Sequence, residues 1–86
     1  MTEYKKNIRE EERKCVSSNY FSDRCKEQTD EWLKAGYWVG FCADCIGHTR
    51  AAMFENDGES YIRNTYGDKN VLVSKTSYGM RYFKLK

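Results

Sequence analysis

The cysteine pair Cys42 and Cys45, separated by two residues, is the pattern in this sequence with the clearest chemistry. Two thiolates at this spacing in a tight turn can both bind one tetrahedral zinc ion, at about 2.3 Å each. Gly47, two positions beyond Cys45, suits the backbone of such a turn. The same spacing occurs in redox sites, where it opens a helix after a strand. Here we expect a strand on each side of the pair, which favours metal binding.

Two further ligands are needed for a closed zinc site, and the remaining cysteines are ten residues apart. If residues 4–17 and 22–35 form a helical hairpin whose loop is centred near Tyr20, Cys15 and Cys25 lie at equal distances from that centre. Both would then face inward and present sulfur to the same point. His48 is a reserve ligand that could replace one thiolate. The hypothesis is a structural zinc site with these ligands: Cys15, Cys25, Cys42 and Cys45.

Two other interpretations of the cysteines remain open. Free cysteine is among the most frequently buried residues, and Cys15 and Cys25 both lie on apolar stripes of the predicted helices. Disulfide or redox use is the third possibility. The polar N-terminus and the lack of a membrane-spanning apolar run predict a cytoplasmic protein, in which thiols stay reduced and paired cysteines more often bind metal.

The elements that must position these cysteines follow from hydrophobic spacing. Residues 4–17 and 22–35 have apolar residues near one helical face. Ser22 is a suitable N-cap for the second helix, and Gly36 stands where a glycine commonly follows a helix end. The helix stripe predicted for this second segment contains Cys25, Thr29, Trp32 and Leu33.

After Gly36 the sequence favours strands, because β-branched and aromatic residues recur and Asn56-Asp57-Gly58 and Ser77-Tyr78-Gly79 read as turns. Short connections of this kind indicate hairpins. We therefore predict a single α+β domain over residues 1–86, in which an N-terminal helical hairpin (4–35) packs on a C-terminal antiparallel β-meander of four to five strands (37–86). The predicted strands are 37–41, 50–55, 60–66, 71–75 and 80–85.

Charge and aromatic rings are concentrated toward the C-terminus. Residues 69–86 contain five lysines or arginines and no acidic residue, although the net charge of the whole chain is only +2. A local basic region of this kind attracts acidic partners. The predicted contact residues on these strands are Arg63, Lys75, Arg81, Tyr82 and Lys84.

Catalysis is not indicated by the residue types. The chain has a single histidine, which competes with the zinc hypothesis, and its glycines form no phosphate-binding pattern. No convergent set of nucleophile, base and orienting group can be assembled from the sequence. We expect a non-enzymatic protein without a small-molecule substrate and without a membrane anchor.

Binding of a macromolecule remains as the expected function. In size and composition the chain is similar to the short, Lys-, Asn- and Tyr-rich accessory proteins of bacteriophages and other mobile elements, many of which bind and inhibit or redirect one host protein. This resemblance implies a protein partner. The alternative is a nucleic-acid-binding zinc domain whose basic and aromatic strands contact phosphates and bases. The sequence leaves the oligomeric state open.

Overall fold

A computed structural model describes residues 9–18, 20–42, 47–76 and 80–86. Within these ranges the chain forms two α-helices and one four-stranded mixed sheet. Short 3₁₀ turns over Glu10–Glu12 and Asp68–Asn70 precede β1 and β3. The elements in chain order are β1 (Arg13–Ser17), α1 (Asp23–Lys34), β2 (Trp38–Cys42), α2 (Gly47–Tyr66), β3 (Val71–Lys75) and β4 (Arg81–Leu85).

The strands lie in the order β1-β2-β4-β3. β1 pairs with β2 in parallel, with Val16 opposite Phe41, whereas β4 is antiparallel to both β2 and β3. Two parallel neighbours need a crossover connection, and α1 supplies it. α2 connects β2 to β3, which are separated in the sheet by β4.

One hydrophobic core lies between the sheet and both helices. Alternate residues of each strand point toward the helices, as the two-residue period of a strand requires. The buried members of this core are Val16, Cys25, Leu33, Val39, Phe41, Phe54, Ile62, Val71, Val73 and Phe83. The opposite face of the sheet, which we call the back face, carries a smaller cluster of Trp38 and Tyr82 with Leu72 and Met80 against it.

The predicted helical hairpin is wrong. The described part of residues 4–17 is a 3₁₀ turn followed by strand β1, and residues 1–8 lie outside the described ranges. Spacing of apolar residues around Cys15 and Val16 fits a helix and a strand equally well. Pairing with the buried strand β2 decides in favour of the strand, because it buries Val16 and satisfies the backbone groups that face β2.

The antiparallel meander is also wrong, since residues 50–55 and 60–66 belong to the single helix α2. Gly58, taken from the sequence as part of a turn, is a buried position in the middle of that helix. A Cβ atom at Gly58 would lie 2.6 Å from three carbons of the Phe41 ring. Glycine therefore serves close packing of helix on sheet, because any side chain would push α2 away from β2.

The second predicted helix agrees with the structure in its local features. Ser22 is the N-cap of α1 and its hydroxyl oxygen accepts a hydrogen bond from the Cys25 N–H, at 3.4 Å. Cys25, Thr29 and Leu33 are its buried residues. Gly36 adopts a φ of 91°, a left-handed conformation that favours glycine after a helix end.

A candidate peptide-binding groove

The predicted zinc site is wrong. Cys15 and Cys42 form a disulfide that links β1 to β2, with their Cα atoms 6.1 Å apart. Cys25 is a free, buried cysteine. No cluster of three or more potential metal ligands from His, Cys, Asp and Glu is present among the described residues. Cys45 and the side chain of His48 lie outside the described part of the chain.

Strand alternation explains why the sulfurs do not converge. Val16 and Phe41 point into the core beneath the helices. Their neighbours Cys15 and Cys42 therefore project from the back face, because successive side chains of a strand point to opposite sides. Cys25 belongs to the core on the helix side of the sheet. The sheet thus separates Cys25 from the two cysteines that form the disulfide.

The same alternation divides the predicted contact residues between the two faces of the sheet. Arg81 reaches α2 on the helix side, whereas Tyr82 is a buried member of the back-face cluster. Lys84 lies with its Nζ 5.8 Å from the centre of the Trp38 ring, also on the back face. Lys75 is exposed at the end of β3. These residues do not form one continuous surface.

Two of the predicted contacts, Arg63 and Arg81, take part in an ion-pair network inside the molecule. Arg81 donates to Glu55 at 2.5 Å and lies 2.7 Å from Glu59. Arg63 donates to the other oxygen of Glu59 at 2.9 Å and to Asp68 at 3.1 Å. Burial lowers the pKa of Arg63, but the hydrogen bonds with Glu59 and Asp68 outweigh burial and hold that pKa above its usual value.

The rings of the back face are buried rather than available for stacking. Trp38 is 5% exposed and Tyr82 is 4% exposed. Tyr82 lies so close to Gly40 that a Cβ there would come within 2.6 Å of its ring. Arg13 and Lys84 lie 6.0 and 5.8 Å from the centres of the Tyr82 and Trp38 rings, respectively. The cations therefore cover rings that would otherwise face a partner.

A groove of about 240 Å³ lies between the edge strand β1 and the helix α1. Residues 15–18 form one wall, and the other wall consists of Ser22, Arg24, Cys25, Gln28 and Trp32. Val16 and Cys25 are the buried residues of this set. Because α1 links two parallel strands, it runs antiparallel to β1. Ser18 and Arg24 therefore lie toward one end of the groove and Trp32 toward the other.

Each wall of the groove is held by a separate contact. β1 pairs with β2 along its whole length, and in the oxidised chain the Cys15–Cys42 disulfide adds a covalent link between the two strands. On the other side, Asp30 of α1 accepts hydrogen bonds from the hydroxyls of Tyr61 and Tyr66 of α2, both at 2.6 Å. Burial and these bonds to Asp30 raise the pKa of each phenol. The groove is therefore built on fixed elements on both sides.

The outer edge of β1 is the second feature of this site. Within the described part of the chain β1 pairs with one strand only, β2. Alternate N–H and C=O groups of an edge strand point away from the sheet and can pair with an added strand. These backbone groups lie beside the groove, where the side chains of such a strand would enter.

Sequence reasoning missed this site because it assigned β1 to a helix. The available signal was the apolar Val16 followed by Ser17 and Ser18, with the N-cap Ser22 four residues after Ser18. A strand that leads directly into a capped helix is the start of a β-α-β unit. The open edge beside the crossover helix follows from that unit only when the position of β1 in the sheet is known.

Comparisons of this chain with protein-family models, with curated proteins and with solved structures found no match. Among the residues that the structure describes, no helix combines the length and the apolar character needed to cross a bilayer. Function must therefore be inferred from the contacts and exposed groups of the chain itself.

Proposed function

We propose that this chain is a small, non-catalytic binding module that holds an extended segment of a partner protein along β1, in the groove against α1. By occupying that segment it inhibits or modulates the partner, as many of the accessory proteins that it resembles in size and composition do. The open edge of β1 beside a preformed groove is the observation that carries this proposal.

In strand addition, an extended segment of the partner becomes a further strand at the edge of the sheet. This mode of binding would use both the open edge of β1 and the groove beside it. The partner's main chain would pair with the outward N–H and C=O groups of β1, which gives affinity with little dependence on sequence. Alternate side chains of the partner would enter the groove, which gives selectivity. Trp32 and Arg24 are residue types that frequently anchor protein interfaces.

Nucleic-acid binding is the less favoured alternative. Its support is the basic charge of residues 69–86, including the exposed Lys75. Against it, the rings of Trp38 and Tyr82 are buried, and base stacking needs an accessible ring face. A shift assay with mixed-sequence DNA and RNA at low salt distinguishes the two functions. Binding at or below about 50 μM that weakens steeply with salt would favour the nucleic-acid alternative.

A cytoplasmic location is part of the proposal and the disulfide provides its test. Reducing compartments keep most thiols free, so a persistent Cys15–Cys42 bond would indicate an oxidising compartment. Alkylation of intact cells before lysis, followed by mass spectrometry, measures the state of both cysteines. Mostly alkylated Cys15 and Cys42 support the cytoplasm, whereas an intact disulfide contradicts it.

The groove itself is tested with a pair of tryptophan variants on α1. Gln28→Trp places a large ring in the groove, whereas Glu27→Trp adds the same ring at an exposed position that does not line it. Affinity capture from host extract should recover a stoichiometric partner with wild-type chain and with Glu27→Trp. Gln28→Trp should lose that partner.

Hydrogen exchange provides the direct readout of strand addition. The outward amides of β1 should exchange more slowly when the captured partner is bound, because they would then donate to its carbonyls. If no partner is recovered, or if the partner leaves β1 exchange unchanged and binds Gln28→Trp as well as wild type, the proposed site is wrong.

A further inference from the structure

We propose that the groove selects partner segments that carry an aspartate or glutamate, and that Arg24 binds the carboxylate of this side chain. This inference rests on the proposed function, because it assigns the chemistry of the segment that would lie along β1. It concerns an internal acidic side chain of an extended segment.

Among the described residues, Arg24 is the only charged one that lines the groove. The other polar residues that line it in the described part of the chain are three serines and a glutamine, with no carboxylate. The groove therefore presents one positive charge and several neutral hydrogen-bonding groups. A segment with a carboxylate at the same end complements this arrangement, whereas a segment with lysine or arginine there meets repulsion.

The guanidinium of Arg24 has no partner within the described ranges. Arg24 is exposed, and no salt bridge in the described ranges includes it. Its neighbour Lys26 differs, because it pairs with Asp23 at 3.4 Å. Arg63 and Arg81 also differ, since both are held by carboxylates of the chain itself. Arg24 is thus a cation beside the groove that no carboxylate of the described residues pairs with, and the proposal assigns it a carboxylate of the partner segment.

Arginine suits this role by its shape. Its planar guanidinium can donate two parallel hydrogen bonds to one carboxylate, so that both charge and orientation are recognised. At the opposite end of the groove, Trp32 packs partly into the core and presents apolar surface. The preferred segment therefore combines an acidic side chain near Arg24 with an apolar side chain toward Trp32.

Selection from a displayed library of random ten-residue peptides, flanked by neutral linkers, tests this inference. The library is selected against wild-type chain, Arg24→Gln and Arg24→Glu. Peptides that bind wild type but not Gln28→Trp should be enriched in aspartate or glutamate at one position. Arg24→Glu should instead enrich lysine or arginine at that position, and Arg24→Gln should show neither preference.

Synthetic peptides with amidated C-termini then measure how much the acidic side chain contributes to the binding affinity. Replacing the selected glutamate by glutamine should weaken binding to wild type about tenfold, as loss of one charge-assisted pair predicts. The same replacement should change binding to Arg24→Gln less than about twofold. Arg24 is exposed, so the circular dichroism spectra of its variants should match wild type.

Two failures have different meanings. If peptides that depend on the groove are enriched without any acidic preference, or if the glutamate and glutamine peptides bind wild type equally, the role of Arg24 is overturned and the proposed function stands. If no enriched peptide is sensitive to Gln28→Trp, the groove does not bind extended segments, and both proposals are wrong.

Discussion

The two sides of this sheet are stabilised by different chemistry. On the β1 side, a disulfide links the edge strand to β2, and the nearby Arg24 has no carboxylate partner among the described residues. On the β4 side, a chain of alternating charges joins the sheet to α2 through Glu55, Arg81, Glu59, Arg63 and Asp68. On that side both Arg63 and Arg81 are paired with carboxylates of the fold itself. On the β1 side, Arg24 stays available to a partner.

The largest expected effect comes from breaking the β1 side. The double substitution Cys15→Ser and Cys42→Ser removes a cross-link between positions 27 residues apart. Without the cross-link the unfolded chain has more conformational entropy, which should lower the free energy of unfolding by about 3–4 kcal/mol. Urea denaturation of oxidised wild type against the variant measures this loss.

Wild type in a strong reductant is the control for that experiment, and its unfolding midpoint should match that of the double variant. A difference below about 1 kcal/mol between oxidised wild type and the variant would show that pairing with β2 holds the edge strand without help from the disulfide.

Packing of α2 on β2 should be tested next, with Gly58→Ala. Alanine normally stabilises a helix interior by about 1 kcal/mol relative to glycine, but here the new Cβ meets the Phe41 ring. Overpacking should outweigh that gain, for a net loss of roughly 2 kcal/mol in thermal or urea unfolding. Ser60→Ala, at an exposed position of the same helix, is the matched control and should stabilise slightly. A stabilised Gly58→Ala would mean that α2 is not packed closely on β2.

The ion-pair network is tested at its central member with Glu59→Gln. The Glu59 side chain is 19% exposed and bridges both arginines, so its neutralisation leaves two guanidinium groups without a shared carboxylate. The free energy of unfolding should fall by about 1–2 kcal/mol, in view of the partial exposure of the arginines. Glu27→Gln, on the exposed face of α1, should change it by less than about 0.5 kcal/mol. Equal effects of the two substitutions would show that the ion pairs of Glu59 do not stabilise the β4 side of the sheet.

The smallest expected effect concerns the contact between α1 and α2. Tyr66→Phe removes the 2.6 Å hydrogen bond to Asp30 and should lower the free energy of unfolding by about 1 kcal/mol at neutral pH. Burial, followed by the bond to Asp30, raises the pKa of Tyr66 above the ordinary 10.0. The folded state thus keeps this proton more firmly than the unfolded state does. The stabilisation that comes from this raised pKa is complete below about pH 9 and is lost as pH rises past 10.

Urea unfolding between pH 8 and pH 11.5 measures this alkaline loss, which is the fall in the free energy of unfolding as pH rises. It should be smaller in Tyr66→Phe than in wild type, with the remainder from Tyr61, whose pKa is also raised. Tyr20→Phe is the control, because Tyr20 is 69% exposed, and it should follow the wild-type curve. An alkaline loss that is the same in wild type and Tyr66→Phe would show that Asp30 does not hold this phenol in the folded chain.

The part of the fold that could be predicted is the part specified by neighbours in the chain. Ser22, the stripe of Cys25, Thr29 and Leu33, and Gly36 place α1 to within about a residue at each end, because capping and amphipathic spacing act over a few positions. β3 and β4 were also located, since runs such as Val71–Lys75 combine β-branched residues with adjacent turn residues.

The other parts of the fold and the candidate site depended on contacts between residues that are distant in sequence. Gly58 has the local signature of a turn, and only the Phe41 ring packed against it accounts for a glycine inside a helix. Cysteine pairing could not be read from spacing, because Cys15 meets Cys42 only once β1 lies parallel to β2. The predicted contact residues carried no assignment to a strand face, and strand alternation places Arg81 toward α2 and Tyr82 on the back face.

Composition and short-range pattern were sufficient to indicate an α+β chain, to place one capped helix, and to mark the C-terminal region as basic. The order of strands, the partner of each cysteine and the availability of each cation depended on contacts across the fold. The physical reason is the distance along the chain over which each interaction acts. Capping, turn chemistry and periodicity act within about one turn of chain, whereas burial, disulfide geometry and ion pairing depend on which distant residues the sheet brings together.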